Sequence, residues 1–377
     1  MLADHTLSNF SDLMFRTSFV IYAIALIIGL VFYVKVQGVI DARRQRENSA
    51  AQADEQAGIE FDKAHAELEM ATAASSQTRA GQELEQPASS GPAARDSLAD
   101  GGSEATGVND VDKPGKSLAE LEAGARKWSG MAQTLIWLGI IIHAGTVLTR
   151  GMATGRFPFG NMYEYSLMLT LLTMVVAAIV ISQRQEWRVL WPWLMIPVVI
   201  LMFVGGSHLY AESAPLVPAL RSFWLPIHVG IVVLGGAVGM VSGMASLLYL
   251  LRRWQPKGQE RGGILGAIVK PLPSAKKLDG LAYKSAIVTL PVLGLGIVLG
   301  AIWAEAAWGR PWNWDPKETV SLISWILYAA YLHARATAGW RAMRAAWINI
   351  VALATMIFNF FFINMVVSGL HSYAGLT

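Results

Sequence analysis

Residues 225–251 read LPIHVGIVVLGGAVGMVSGMASLLYLL, a stretch of 27 residues that contains no Asp, Glu, Lys or Arg. A helix needs roughly 20 apolar residues to cross the hydrocarbon core of a bilayer, and this stretch exceeds that length. It is continuously apolar and lacks the alternation of a barrel strand. Because backbone polar groups in lipid must bond to one another, the stretch predicts a transmembrane helix.

Similar apolar runs lie on both sides of this stretch. Apolar residues make up 54% of the 377 residues, and the mean hydropathy is +0.41, which is too high for an ordinary soluble protein. We therefore predict an all-α integral membrane protein with about eight transmembrane helices. The predicted spans are 15–36, 129–148, 163–182, 188–205, 225–251, 284–303, 318–338 and 346–367.

Basic side chains indicate the orientation of these spans, because Lys and Arg concentrate in the cytoplasmic connections of membrane proteins. We therefore interpret the formal net charge of +3 as a sign of topology and not of a nucleic-acid surface. The basic connections, expected inside, include Arg43, Arg44, the stretch 252–284, Arg341 and Arg344. The connections expected outside are 149–162, 206–224, 304–317 and the tail from 368.

The segment 41–128 differs from the rest in composition. Residues 41–127 hold 17 of the 27 acidic residues and one aromatic side chain, Phe61. Such a segment buries too little apolar surface to offset the entropy of ordering it. We expect a long, largely disordered cytoplasmic loop with a short helix around 54–73. The predicted organisation is an anchor at 1–40, this linker at 41–128 and a membrane domain at 129–377.

The outer loop 303–318 reads WAEAAWGRPWNWDPKE and holds four tryptophans within twelve residues. Tryptophan commonly anchors a helix at the membrane interface, and that role explains one or two of them. The remaining density favours a surface for a large planar ligand with acidic edges, such as haem. Arg310 and Lys317 are suited to pair with its propionates through charge-assisted bonds. The candidate binding residues are Trp308, Trp312, Trp314, Asp315, Arg310 and Lys317.

The end of that loop has the pattern of a helix start. Asp315 is suited to the N-cap, Pro316 to the first helical position and Glu318 to the first turn. This structural role is the favoured interpretation of Asp315. It is compatible with function, since a capped helix end holds the tryptophan loop rigid.

Two histidines lie at the same predicted membrane face as the tryptophan loop. His228 begins the span 225–251, and His371 follows the last span. Interfacial histidines are often plain polar tips, but two imidazoles on opposite sides of a porphyrin are a common way to hold haem iron. The pair is therefore a candidate set of axial metal ligands.

The other histidines have weaker patterns. His333 lies ~22 Å below the outer surface, and an ionisable residue inside a membrane is a functional hypothesis by default. A hydrogen bond to a neighbouring helix is an equal alternative for His333 and the favoured one for His143. His208 is most simply a solvated loop residue.

The string from Trp308 through Glu318 resembles the WWD signature of haem-handling proteins in cytochrome c assembly. The CcsA/ResC branch of that family, called system II and often named CcsB in actinobacteria, carries one outer histidine before the loop and one after it. His228 and His371 stand in those places, and His333 matches the intramembrane histidine of the branch. The resemblance covers roughly 129–377.

The resemblance implies a multi-pass protein of the cell membrane that works with a ResB-type membrane subunit as a cytochrome c synthase, or haem lyase. Haem b, the transported substrate, reaches the extracytoplasmic face, and its vinyl groups react with the thiols of a Cys-x-x-Cys-His segment in apocytochrome c. The chain has no cysteine, so both thiols must come from that partner.

Three alternatives stay open. One is haem export to a haem chaperone without ligation. The second is a b-type electron-transfer subunit with permanently bound haem, which usually requires paired histidines deep in adjacent spans. The third is a transporter that binds no haem, for which the outer histidines are incidental.

Overall fold

The computed structural model describes residues 4–80, 116–216, 218–337 and 342–371, and these residues form helices and no strand. The α-helices are α1 (His5–Ala80), α2 (Leu118–Thr154), α3 (Met162–Ser182), α4 (Trp191–Ser207), α5 (Trp224–Trp254), α6 (Ile264–Val269), α7 (Ala275–Trp308), α8 (Pro316–Ala336) and α9 (Ala342–Phe358). Short 3₁₀ segments lie at Gln185–Leu190 and Pro218–Leu220, and a π-helical turn follows α9 at Asn359–Ile363.

Seven helices of the described ranges are long and apolar enough to cross a membrane, which confirms an all-α integral membrane protein. They are α1, α2, α3, α4 with its preceding 3₁₀ turn, α5, α7, and α9 with its π turn. The predicted span 318–338 is helical as α8 up to Ala336, but it is not among the seven. The physical reason is its polar content, which includes Lys317 and Glu318 in the first turn and His333 and Arg335 in the last.

Helix α1 is longer than its apolar part. It continues to Ala80, so the helix expected around 54–73 extends beyond both predicted ends and 41–80 is helical where a largely disordered loop was expected. Ala, Glu, Gln, Lys and Arg are frequent here and favour a helix even without burial. Side chains from Glu47 to Thr72 are exposed. The remainder of the predicted linker, 81–115, lies outside the described residues.

Contacts divide the chain into a unit of Met1–Gly38 with Glu122–Thr377 and a second unit of Val39–Leu121. In the first unit, α5 packs against α3, α7 and α9, and α8 packs against α7 and α9. A buried polar link joins α5 to α9, where the Asn349 side-chain amide donates to Ser242 Oγ at 2.9 Å and Ser246 Oγ at 2.7 Å. Such links satisfy polar groups that lipid cannot.

Candidate functional site

A cavity lies at one end of this bundle, where α5 begins, α7 ends and α8 begins. Its apolar wall comes from α5 and α7 and includes Val232, Leu293 and Ile297. Its polar wall comes from α8 and the segment after α9. The sequence-predicted site residues among its lining are His228, His371, Trp312 and Lys317.

His228 enters the cavity from the first turn of α5. Its Nδ1 lies 2.8 Å from the carbonyl oxygen of Gly296 on α7. A carbonyl oxygen accepts and cannot donate, so Nδ1 carries the proton and Nε2 carries the lone pair. Histidines that bind a metal usually show this arrangement, with the second ring nitrogen donating to a carbonyl or a carboxylate.

His371 is held in the same way from the opposite end of the chain. Its Nδ1 lies 2.9 Å from Oδ1 of Asp315, and the backbone N–H of Leu370 donates to Oδ2 at 2.9 Å. Burial raises the pKa of Asp315, but the hydrogen bonds from His371 and from the backbone N–H groups of Leu370 and Lys317 outweigh burial and lower that pKa to about 2. The carboxylate therefore only accepts, which again places the lone pair of the imidazole on Nε2.

Asp315 also caps α8, as the sequence predicted. Its Oδ1 accepts from the backbone N–H of Lys317 at 3.0 Å, and Glu318 Oε2 accepts from the backbone N–H of Asp315 at 3.1 Å, which completes a capping box. One carboxylate thus fixes both the start of α8 and the ring of His371. The second contact was not predicted, because the two residues lie 56 positions apart.

The tryptophans of the loop divide into two groups. Trp303, which was not among the predicted site residues, is buried and lines the cavity. Trp308 contacts it edge-on at 4.7 Å between ring centroids and contacts His371 at 5.1 Å. Trp308 does not line the cavity itself, and it packs against Trp303 and His371.

Trp312 and Trp314 form the second group, with ring centroids 5.7 Å apart. Trp312 lines the cavity, whereas Trp314 is 68% exposed and has a φ of 55°. A bulky residue rarely adopts this left-handed conformation, and such strain clusters at binding sites. The exposed indole is therefore held at the rim of the site against its own backbone preference.

The two cations of the loop differ as well. Lys317 lines the cavity, and its Nζ donates to Oδ1 of Asn364. Arg310 does not line the cavity, and it forms no ion pair within the described residues. Asn359 lies in the π-helical turn after α9, and its side-chain amide donates to Ser321 Oγ at 2.8 Å. Such turns are local widenings of a helix and are frequent at functional sites. The structure therefore supports Lys317 more directly than Arg310 as a partner for an acidic edge.

The remaining histidines stand apart from the cavity. His333 is exposed on α8, 17 residues after Pro316 and thus ~26 Å along the helix axis. His143 is fully buried in α2, with its ring 5.9 Å from that of Tyr22. His208 lies exposed at the end of α4, with Nδ1 2.7 Å from Ser207 Oγ. None of the three lines the cavity.

A buried charge network near the cavity was not foreseen from the sequence. Glu164 pairs with Arg156 at 2.7 Å and with Arg150 at 3.2 Å, and Arg150 lies 3.8 Å from Asp12. Glu164 N–H is also capped by Asn161 Oδ1 at 2.8 Å. The network ties α1 and α2 to the start of α3, whose Asn161 and Tyr165 line the cavity.

These features define a helical membrane protein with an aromatic cavity at one end of the bundle, bounded by two oriented histidines. The chain belongs to the cytochrome c assembly protein family, whose model matches residues 159–371. It is of the CcsA/ResC type, and its role lies in cytochrome c biogenesis.

Its relatives include three proteins named cytochrome c biogenesis protein CcsA. The one from Synechococcus sp. (strain RCC307) is 32% identical over 267 residues, which cover 65% of this chain and 85% of the relative. The one from Parasynechococcus marenigrum (strain WH8102) is 32% identical over 273 residues, with coverages of 65% and 87%. The one from Guillardia theta is 32% identical over 244 residues, with coverages of 60% and 80%.

Proposed function

We propose that this protein binds haem b in the cavity through His228 and His371 as axial ligands and presents it for covalent attachment to apocytochrome c. The observation that carries the proposal is the shared arrangement of the two imidazoles. Both line one cavity, and each donates its Nδ1–H to a fixed acceptor, Gly296 O or Asp315 Oδ1. Two such nitrogens suit a six-coordinate haem iron.

The walls of the cavity suit the rest of the ligand. Trp303 and Trp312 supply flat apolar surface to the cavity. Trp308 packs against Trp303, and Trp314 packs against Trp312. Lys317 supplies a positive charge on the polar wall, where a propionate gains a charge-assisted hydrogen bond.

In this proposal the protein positions haem and the thiols come from apocytochrome c, since the chain has no cysteine. Each thiol adds its sulfur to one vinyl carbon and its hydrogen to the other, so the addition needs no net oxidant and releases no leaving group. The histidine of the Cys-x-x-Cys-His segment then replaces one of the two imidazoles on the iron. Holding the two partners in register is the main catalytic contribution that follows from this geometry.

We further propose that the protein works with a ResB-type membrane subunit. We also propose that His333 provides an inner contact for haem. His333 is exposed on α8, so a group from a partner subunit or from the lipid phase can reach it. Its distance along α8 from the cavity fits a point of entry, with the haem cavity lying on the extracytoplasmic face of the cell membrane.

The test is the absorption spectrum of the purified protein, alone and with its partner, for the wild type, His228→Ala and His371→Ala. We expect a six-coordinate haem spectrum in the wild type, loss of it in both variants, and its return with added imidazole. His208→Ala is the matched control, because His208 lies exposed outside the cavity. A colourless wild type, or haem indifferent to both substitutions, contradicts the proposal.

The structure gives little support to a permanently bound b-type haem within the spans. Such a haem requires two imidazoles facing each other deep in the bundle. Two histidines are far from the ends of their predicted spans, but His143 is fully buried in α2, whereas His333 is exposed on α8. A second assay distinguishes covalent attachment from haem export without ligation. It measures the formation of covalent cytochrome c in cells that carry the wild type or His371→Ala.

A further inference from the structure

One face of α7 contacts His228 at three successive positions. Gly296, Gly300 and Trp303 are spaced four and three residues apart, so they lie on the same side of the helix. The carbonyl oxygen of Gly296 accepts from His228 Nδ1, and the ring of Trp303 lies parallel to the imidazole, with an angle of 10° and ring centroids 5.9 Å apart. We call these three residues the α7 cradle.

Gly300 lies directly under the imidazole. A Cβ at this position would be 2.7 Å from Cε1 of His228, closer than real Cβ atoms approach, and 3.0 Å from Nδ1, which is tighter than most real contacts. The imidazole is short and tied to Gly296, so it has little freedom to move aside. Any side chain at position 300 therefore displaces the ring.

Gly296 allows the two helices to meet at this point. A Cβ there would be 2.7 Å from Cγ2 of Val232, which lies one turn after His228 on α5. Close approach of helix backbones through small residues is typical of membrane bundles. It is this approach that brings the Gly296 carbonyl within reach of Nδ1.

Trp303 extends the cradle to the second histidine. Its ring centroid is 5.9 Å from that of His371 as well as from that of His228, and its side chain is only 1% exposed. A buried, rigid indole that touches both imidazoles fixes the space between them.

We propose that the α7 cradle is a positioning site that sets the ring of His228 relative to His371, with Gly300 as its most sensitive position. The inference rests on the proposed function, because the consequence is the ligation of haem iron. Gly300 and Trp303 are not ligands here. Gly300 acts only through the imidazole of His228, whereas Trp303 acts through both imidazoles in addition to its proposed contact with haem.

The first experiment compares Gly300→Ala with Gly280→Ala by haem titration and absorption spectroscopy of the full-length protein. Both glycines lie on α7, but a Cβ at Gly280 meets nothing within 4 Å, so that variant controls for the added methyl group. We expect Gly300→Ala to lower haem affinity on the order of tenfold and to lose the six-coordinate spectrum, as for groups that orient a metal ligand. Added imidazole should restore that spectrum, and Gly280→Ala should behave as the wild type.

The second experiment places Gly300→Ala in the His228→Ala background. If the glycine acts through the imidazole, the second substitution adds no further loss of haem affinity, and without added imidazole the double variant binds haem as His228→Ala does. An additional loss in the double variant indicates a general packing defect and overturns the inference.

The outcomes separate this inference from the proposed function. A wild type without haem removes both. A wild type with six-coordinate haem that depends on His228, together with an unchanged Gly300→Ala spectrum, overturns the cradle alone. Should Gly300→Ala fail to fold, Trp303→Leu tests the same site, and an unchanged six-coordinate spectrum in that variant contradicts the inference.

Discussion

The cavity and the far end of α8 place histidines in opposite surroundings. His228 and His371 are part-buried, and each ring is tied to a fixed acceptor. His333 is exposed, and within the described residues its ring has no hydrogen-bond partner. The difference predicts that the pair in the cavity is preorganised to hold a ligand, whereas the proposed haem contact at His333 needs a group from outside this chain.

The largest effect is expected for Asp315→Ala. The substitution removes the acceptor of His371, the acceptor of Leu370 N–H and the N-cap of α8 together. We expect haem affinity to fall on the order of 10- to 100-fold and the protein to lose about 1 kcal/mol of stability. Haem titration and thermal unfolding measure the two losses.

Asp315→Asn separates the two roles of this residue. Asparagine caps helices about as well as aspartate, so the cap of α8 should be kept, but the amide nitrogen cannot accept from Leu370 N–H as Oδ2 does. The neutral amide is a weaker acceptor for His371 Nδ1–H, so the haem affinity should still fall. Equal haem affinity in Asp315→Asn and the wild type would show that the carboxylate matters for the cap alone.

His333→Ala is expected to act on haem supply and not on haem holding. Protein purified from cells should carry less haem, while the apoprotein should bind added haem with wild-type affinity. The measurement is the haem content as isolated, compared with the affinity in reconstitution. A loss of affinity for added haem would break the contrast between the two ends.

Lys317→Gln is expected to weaken haem binding about tenfold, the value of a hydrogen bond to a charged group. Arg310→Gln should have a smaller effect, because Arg310 does not line the cavity. Haem dimethyl ester, which lacks the propionate charges, should bind the wild type and Lys317→Gln equally. A Lys317→Gln variant that discriminates between haem and its ester as strongly as the wild type would remove Lys317 as a propionate partner.

The smallest effect is expected from the exposed part of α1. Phe61→Ala changes a side chain that is 68% exposed, so neither the haem spectrum nor the unfolding temperature should shift. A changed haem spectrum would show that the segment contributes to the cavity.

Features that depend on near neighbours in the chain were predictable. The apolar runs indicated the spans, and Asp315 and Glu318 lie three residues apart, so their capping box could be predicted from the sequence. The extension of α1 to Ala80 was underestimated, because the composition argument concerned burial whereas a solvated helix needs none.

Features that depend on tertiary contacts were not predictable from one sequence. Asp315 meets His371 across 56 positions, and Trp303 meets both histidines only after α5, α7 and the C-terminal segment pack together. Arg310 and Lys317 looked equivalent in the loop, and the start of α8 decides which of them lines the cavity. The sequence therefore indicated which residue types form the candidate site, but not which of them contact one another.

The most direct test of the central claim is electron paramagnetic resonance of the ferric, haem-loaded protein. We expect a low-spin signal typical of two imidazole ligands in the wild type, its loss in both His228→Ala and His371→Ala, and its return with added imidazole. A high-spin wild type, or a low-spin signal that persists in either variant without imidazole, would contradict ligation of haem by this pair.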